Sequence, residues 1–398
     1  MKVVAVETLR PQVQPNLLFV RLHTDDGRIG LGEAFFGACT VESYIHESVC
    51  PVLLGMADPT PERVGAELAP YAGYQGAGAE VRGNAAIDLA LWDLVGQGAG
   101  LPLAALFGGP VRASLPVYNT CAGSGYVGSS TRQRSDNWGV DAPGSRYEDL
   151  QAFLTRPGEL ALELQAEGFT GMKIWPFDTA AEKTGGNKIT RSDLDAGLAI
   201  VAAVRDAVGT DLDLMIELHG LWKWPVAAQI LRALEPYQPF WVEDPVRPDA
   251  VEGYAALAAE VAVPIAAGET LTGRRGFLPL LQRNALDVAI IDVQWCGGMT
   301  ESRKVAALAD TFGVPVAPHD CTGPVSLAAG VHLALSAPNG VVQEVVRAFL
   351  RTWYSELVEG IPEIVDGQVL APTAPGHGVR LRAGLAESAA VERRVSSP

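Results

Sequence analysis

Eight short apolar runs, most followed by an amphipathic stretch, constrain this chain more than any other feature. They lie at Pro116–Cys121, Gly171–Trp175, Asp211–Glu217, Pro239–Glu243, Pro264–Gly268, Asp287–Ile291, Val314–Pro318 and Val341–Glu344. Between the later runs, Pro225–Leu234, Tyr254–Glu260 and Ser302–Thr311 show helical spacing of apolar residues. Repeated β-then-α units require a parallel sheet. Eight of them predict an α/β fold closed into a TIM-type barrel. Such a barrel takes about 250 residues, and the 398 residues here leave room for a second, smaller unit.

That unit is expected at the N-terminus. Val3–Leu9, Leu17–His23 and Ile29–Glu33 read as strands, with Asp25-Asp26-Gly27 as a hairpin turn. Residues 41–72 and 81–97 read as helical. In the second stretch Ala86, Ile87, Ala90, Leu91, Leu94 and Val95 recur at helical spacing, and Gly96, Gly98 and Gly100 end it. The expected division is an α+β unit over 1–112, the barrel over 113–355, and a tail over 356–398. The tail carries the turn Pro375-Gly376-His377-Gly378 and is expected to fold back onto the N-terminal unit.

A net charge of −16 argues against nucleic acid or an anionic membrane as partner, since both call for clustered Lys and Arg. It leaves an anionic small molecule open, because a bound divalent cation inverts the local field. Cys39, Cys50, Cys121, Cys296 and Cys321 form no CxxC pair, so neither a disulfide framework nor a zinc site is expected. The opening MKVVAVETLRPQ lacks a signal peptide's apolar segment. No apolar run approaches the ~20 residues that span a bilayer. A cytoplasmic location is expected.

The chemistry lies at the C-terminal ends of the runs. Glu217, Glu243 and Glu269 stand at an even interval of 26 residues, about one β/α unit. Side chains at successive barrel strand ends converge on one mouth. Three converging carboxylates repel unless a cation holds them, and oxygen ligands with positions left for water and substrate suit Mg²⁺. Asp292, His319 and Glu344 continue the series. A carboxylate beside an imidazole fixes its tautomer and raises its basicity, as a general base requires. Residues two apart on a strand share a face, which pairs Glu217 with His219 and Lys173 with Trp175. His219 is then a candidate acid, and Lys173 a candidate ligand for a substrate carboxylate. Trp175 is a candidate substrate contact, although Trp175, Trp222 and Trp224 read more readily as packing residues. Any one of these residues alone would read as a cap or a solvated side chain. Six acid or His residues in unit register would not arise by chance.

Gly123-Ser124-Gly125-Tyr126-Val127-Gly128 matches GxGxxG, but the SSTRQRSDNWG that follows has no helical periodicity. A dinucleotide site needs a helix there, so none is expected.

The segment Ala86-Ile87-Asp88-Leu89-Ala90-Leu91-Trp92-Asp93-Leu94, with Gly100-Leu101-Pro102 and Leu106-Phe107-Gly108-Gly109 after it, resembles the capping-domain signature of the mandelate racemase subgroup of the enolase superfamily. Glu243-Asp244-Pro245, Gly297-Gly298-Met299-Thr300 and Pro318-His319 resemble its barrel motifs, and the likeness covers almost the whole chain. The resemblance implies a modified (β/α)₇β barrel with an α+β capping domain built from both chain ends. It implies Glu217, Glu243 and Glu269 as Mg²⁺ ligands, Asp292 with His319 as the base dyad, and Glu344 as a partner of the substrate carboxylate. It also implies a symmetric homo-oligomer. The shared step is removal of a proton next to a carboxylate.

Two departures narrow the reaction. Racemases of this family often carry Lys-x-Lys on the second barrel strand, where this chain has Lys173-Ile174-Trp175. Glu217-Leu218-His219 resembles the family's acid-sugar dehydratases, in which that His protonates the departing hydroxyl. The expected substrate is a small sugar acid or hydroxy acid, with Lys173, Trp175, His319 and Glu344 contacting it. An epimerase, racemase or cycloisomerase remains open, as does a silent ligand-sensing relative. Residues 122–150 form a long polar loop after the first run, expected to be a lid, a binding element or disordered.

Overall fold

The three N-terminal runs pair as they alternate. In the computed structural model, which describes residues 1–69, 78–129, 132, 134–140 and 147–398, Val3–Pro11, Leu17–Thr24 and Ile29–Phe35 make an antiparallel meander. The helix Ala79–Ala99 lies against it, backbone to backbone. A Cβ on Gly32 would stand 1.9 Å from the Ala86 carbonyl oxygen, so only glycine permits that approach. Val6, Leu18, Val20, Ile87 and Leu91 share the core between them. Gly100, at φ 66°, ends the helix in the left-handed conformation that helix C-termini favour.

The single helical stretch expected over 41–72 is broken. Ala38–Tyr44 runs through a π-helical turn at Ile45–Val49 into Cys50–Leu53, and a separate helix spans Pro61–Leu68. Asp58-Pro59-Thr60-Pro61 divides them, because proline pushes the residue before it out of helical geometry. Thr60 then caps the second helix by accepting from the Arg63 amide. Residues 70–72 lie outside the described residues.

All eight barrel strands form. They are Ser114–Thr120, Gly171–Ile174, Asp213–Glu217, Trp241–Glu243, Ile265–Ala267, Val288–Ile291, Val316–Pro318 and Gln343–Val345. The first seven pair in chain order and in parallel. The eighth pairs with the first, and the seventh meets Asn339–Val341 through Val316 and Val341 amide hydrogen bonds of 2.9 and 3.1 Å, which closes the barrel. Tyr118, Met215, Trp241 and Ile290 fill its interior. The longer second unit holds two helices, Asp178–Thr184 and Arg191–Val208, the latter capped by Thr190.

The tail divides. Val391–Ser396 adds a strand to the N-terminal meander, pairing antiparallel with Val3–Pro11. Ile364–Val365 and Gln368–Leu370 instead form a hairpin on the first barrel strand. That strand pairs on both sides of the barrel only beyond Pro116, which leaves Ser114–Pro116 as an edge for the hairpin to cover. Among the described residues no helix is long and apolar enough to cross a membrane.

Candidate active site

Strand ends carry the polar side chains because a parallel strand buried on both faces tolerates charge only where it meets the mouth. Glu217 and Glu243 are the last residues of their strands and pair in register, and Glu269 follows its strand by two. Ligand oxygens of the three lie within 4.8 Å of one another. Oxygens held at 2.0–2.1 Å by one octahedral ion are separated by about 3–4 Å, so the cluster is of the right size for a single cation.

The individual oxygens fit that reading. Glu217 Oε1 accepts from the Leu218 and His219 amides at 2.9 and 2.6 Å, while Oε2 is buried with no hydrogen-bond partner. Trp241 Nε1 donates to Glu243 Oε2 at 2.9 Å. Burial pushes Glu243 far above the usual carboxylate range, with Glu217 and Glu344 adding repulsion. Burial also raises Glu269, and Glu217 adds to it. A buried acid cluster of this kind favours either protons or a cation.

The Lys173 ammonium sits among these acids, 2.9 Å from Glu243 Oε1, 2.9 Å from Glu344 Oε1 and 3.6 Å from Glu217 Oε2. Burial works against its charge, but the carboxylates outweigh burial and hold its pKa far above normal. Glu344 is itself anchored by the Thr120 hydroxyl and by the Asp320 amide at 3.0 Å.

Two imidazoles flank the cluster. His319 Nδ1 lies 2.9 Å from Asp292 Oδ2, and its Nε2 lies 3.2 Å from Glu269 Oε2. Asp292 is fixed by the Gln294 and Trp295 amides at 2.8 and 2.9 Å. On the Glu217 side, His219 Nδ1 lies 2.7 Å from Asp178 Oδ2. Burial disfavours the His219 cation, but Asp178 and Glu217 overcome it and raise the pKa to about 10.

One strand-face pairing needs correcting. The third barrel strand stops at Glu217, so alternation does not reach His219, whereas Trp175 directly follows its strand at Ile174 and borders the same cavity as Lys173. His219 has φ 49°, and the chain turns there because both following amides donate to Glu217. That turn, with Asp178, carries the ring to the mouth. Trp175 packs among Tyr126, Phe153 and Trp138, yet also lines the mouth beside His219, 5.8 Å between ring centres. Packing and exposure to the cavity coexist, and its buried indole N–H has no partner.

Lys173, Trp175, Glu217, His219, Glu269, His319 and Glu344 border one cavity of about 1090 Å³. Glu243 lies behind Lys173, and Asp292 behind His319. Part of the 122–150 loop also borders it, through Tyr126 and Val127. Asn16 of the N-terminal unit holds that loop by donating to the Val127 carbonyl at 2.6 Å. In the described part of the loop, the GxGxxG segment leads only to a single 3-10 turn at Ser135–Asn137. Asp178 and Arg82 were not foreseen. Asp178 opens a short helix with no periodic signal, whereas Arg82 gave one, a charge one turn before Ala86 on an apolar face.

The family model for the mandelate racemase / muconate lactonizing enzyme N-terminal domain matches residues 2–108, and the enolase C-terminal domain-like model matches 158–385. The chain belongs to this family, and it is an enzyme of the enolase superfamily. A D-galactonate dehydratase of Ralstonia nicotianae is 31% identical over 406 residues, covering 100% of this chain and 96% of that one. A D-galactonate dehydratase of Pectobacterium atrosepticum is 30% identical with the same coverage. An enolase of the mandelate racemase subgroup from Agrobacterium tumefaciens superposes with a TM-score of 0.88 at 42% identity, covering 100% of this chain and 99% of that one.

Proposed function

We propose that the chain is a Mg²⁺-dependent hydro-lyase that converts an acid sugar, an aldonate or aldarate, into a 2-keto-3-deoxy acid. One observation carries the reading: two imidazoles, His319 buried and His219 half-buried, stand on either side of a three-carboxylate cluster, each with Nδ1 committed to its own aspartate. A β-elimination next to a carboxylate needs such a pair, one ring to take the α-proton and one to protonate the leaving hydroxyl. The two dehydratase relatives support it.

The orphaned Glu217 Oε2 and the spacing of the triad fit a cation held by Glu217, Glu243 and Glu269. When bound, Mg²⁺ supplies positive charge against the negative charge that builds on the substrate carboxylate. Lys173 and Glu344 seat that carboxylate from within the barrel. His319, oriented by Asp292, removes the α-proton through Nε2. His219, held cationic by Asp178, gives a proton to the departing β-hydroxyl. Trp175 offers its indole N–H to a substrate hydroxyl and helps keep bulk water from the site.

The test is a library of acid sugars with added Mg²⁺, with keto acid trapped by semicarbazide and α-proton exchange followed by NMR in D₂O. His219→Asn should cut keto-acid formation by ~10²–10⁴-fold while α-proton exchange persists. An isomerase would exchange the proton and give no ketone. Equal loss of both signals in the variant would remove His219 as the acid.

A further inference from the structure

Several cations border the mouth without a task in this chemistry, Lys223, Arg247 and Arg275 among them, and Arg82 is the one packed beside the aromatic neighbour of His319. Arg82 sits in the first turn of the helix Ala79–Ala99 and borders the same cavity as His319, but from the capping side. Its guanidinium carbon is 5.5 Å from the Trp295 ring centre and 5.9 Å from that of Phe36. Those rings stack at 5.8 Å, and Trp295 lies 5.3 Å from the His319 ring. One aromatic ring therefore separates Arg82 from the proposed base.

Its donors are poorly used. Nη1 reaches the Phe36 carbonyl only at 3.4 Å, and Nε is buried with no partner. Among the described residues no carboxylate lies within ion-pair distance of Arg82. Asp292 and Glu80 attract it from beyond ion-pair distance, and both Asp292 oxygens are already taken by His319 and by the Gln294 and Trp295 amides. The two rings hold the guanidinium in place yet give Nε no acceptor. A partly buried cation without a counter-ion is costly. In a chain with 46 acidic residues against 30 basic ones, no carboxylate among the described residues pairs with it. The guanidinium borders the cavity, and Nη donors left there match a carboxylate or a phosphate.

We infer that Arg82 binds an anionic group at the far end of the substrate, so that the preferred acid sugar carries two anions: a dicarboxylate or a terminally phosphorylated acid. This rests on the dehydratase reading for the near carboxylate alone. Phe36 and Trp295 position Arg82, and Trp295 links it to the side of the cavity where His319 stands.

Binding is measured by calorimetry on the Mg²⁺-loaded His319→Asn protein, which prevents turnover. The probes are matched six-carbon acids: gluconate, galactonate and mannonate, their aldarates, and 6-phosphogluconate. At least one dianion should bind tenfold or more tightly than its monoanion, and the aldarate and phosphate arms show which anion is used. Adding Arg82→Gln should erase that margin, a loss of about 10- to 100-fold for a charged hydrogen bond, while monoanion affinity stays within about threefold. Arg82→Lys, which keeps the charge and loses the fork, should fall between. Monoanions binding as well as dianions in the Arg82 protein would overturn the inference without any variant. So would equal weakening of both classes by Arg82→Gln, which would mark a packing role, or no binding of any probe. Keto-acid formation by the unaltered enzyme is scored separately. Arg82-dependent dianion binding without keto acid sinks the reaction, and keto acid from monoanions alone sinks this inference.

Discussion

Glu217 spends one oxygen on the two amides that follow it and keeps the other buried and unpartnered. The first set of bonds fixes where the second oxygen points, and a fixed, dehydrated carboxylate oxygen costs stability unless something binds it. The Lys173 ammonium is 3.6 Å away and is held closer by Glu243 and Glu344. On the reading proposed above, a divalent cation is that partner. Glu217→Gln keeps the amide-accepting oxygen and removes the charge. It should weaken Mg²⁺ binding by more than the ~10–100-fold that a change behind the ligands produces, read by calorimetry on the folded protein. Unchanged affinity would mean the three glutamates do not share an ion.

At the scale of elements, the strands were legible because β-branched runs such as Asp287–Ile291 recur at unit intervals, and the mouth was legible because acids and histidines recur in unit register at the C-terminal ends of those runs. The places where strands stop were not. Alternation carries no stop signal, so His219 reaches the cavity by a turn rather than by strand face. The division of the tail was equally hidden, since Gln368–Leu370 and Val391–Ser396 differ in partner rather than in local pattern. Arg82 was missed because the apolar periodicity of its helix drew attention to what the charge interrupts. Gly32 shows what local pattern cannot give: a strand glycine whose reason lies 54 residues on, at the Ala86 carbonyl. A Cβ there stands 1.9 Å from that oxygen, so strand and helix must part. Gly32→Ala should cost ~1–3 kcal/mol as an overpacked contact does, seen as a lower urea midpoint. A midpoint equal to that of the unaltered chain would show that the contact relaxes freely.

At the scale of the molecule, the N-terminal unit is fastened to the barrel by two of its own buried carboxylates. Glu33 accepts from the Val325 and Ser326 amides at 3.1 and 3.0 Å, at the start of the barrel helix Pro324–Ser336. It also accepts from Gln294 at 2.8 Å, two residues beyond Asp292. Asp88 accepts from the Thr300 amide at 3.0 Å, at the start of the helix Gly298–Thr311. Each supplies from another part of the chain the acceptor that a helix N-terminus lacks, so cap and base dyad are held in one register. Burial pushes both carboxyls up to about 7 despite those donors. In the unfolded chain they titrate near 4. Between those values the folded chain binds more protons than the unfolded one, so stability falls as pH rises, by up to about 1.4 kcal/mol per pH unit for each group. The penalty levels off only about a unit above pH 7. Glu33→Gln with Asp88→Asn should remove this decline, so the difference in unfolding free energy between variant and unaltered chain should shift steadily in the variant's favour from pH 5 to 7.5. Titrations elsewhere cancel in that difference, and a difference flat across the range would mean that the two carboxyls are already ionised in the fold and the junction does not respond to pH.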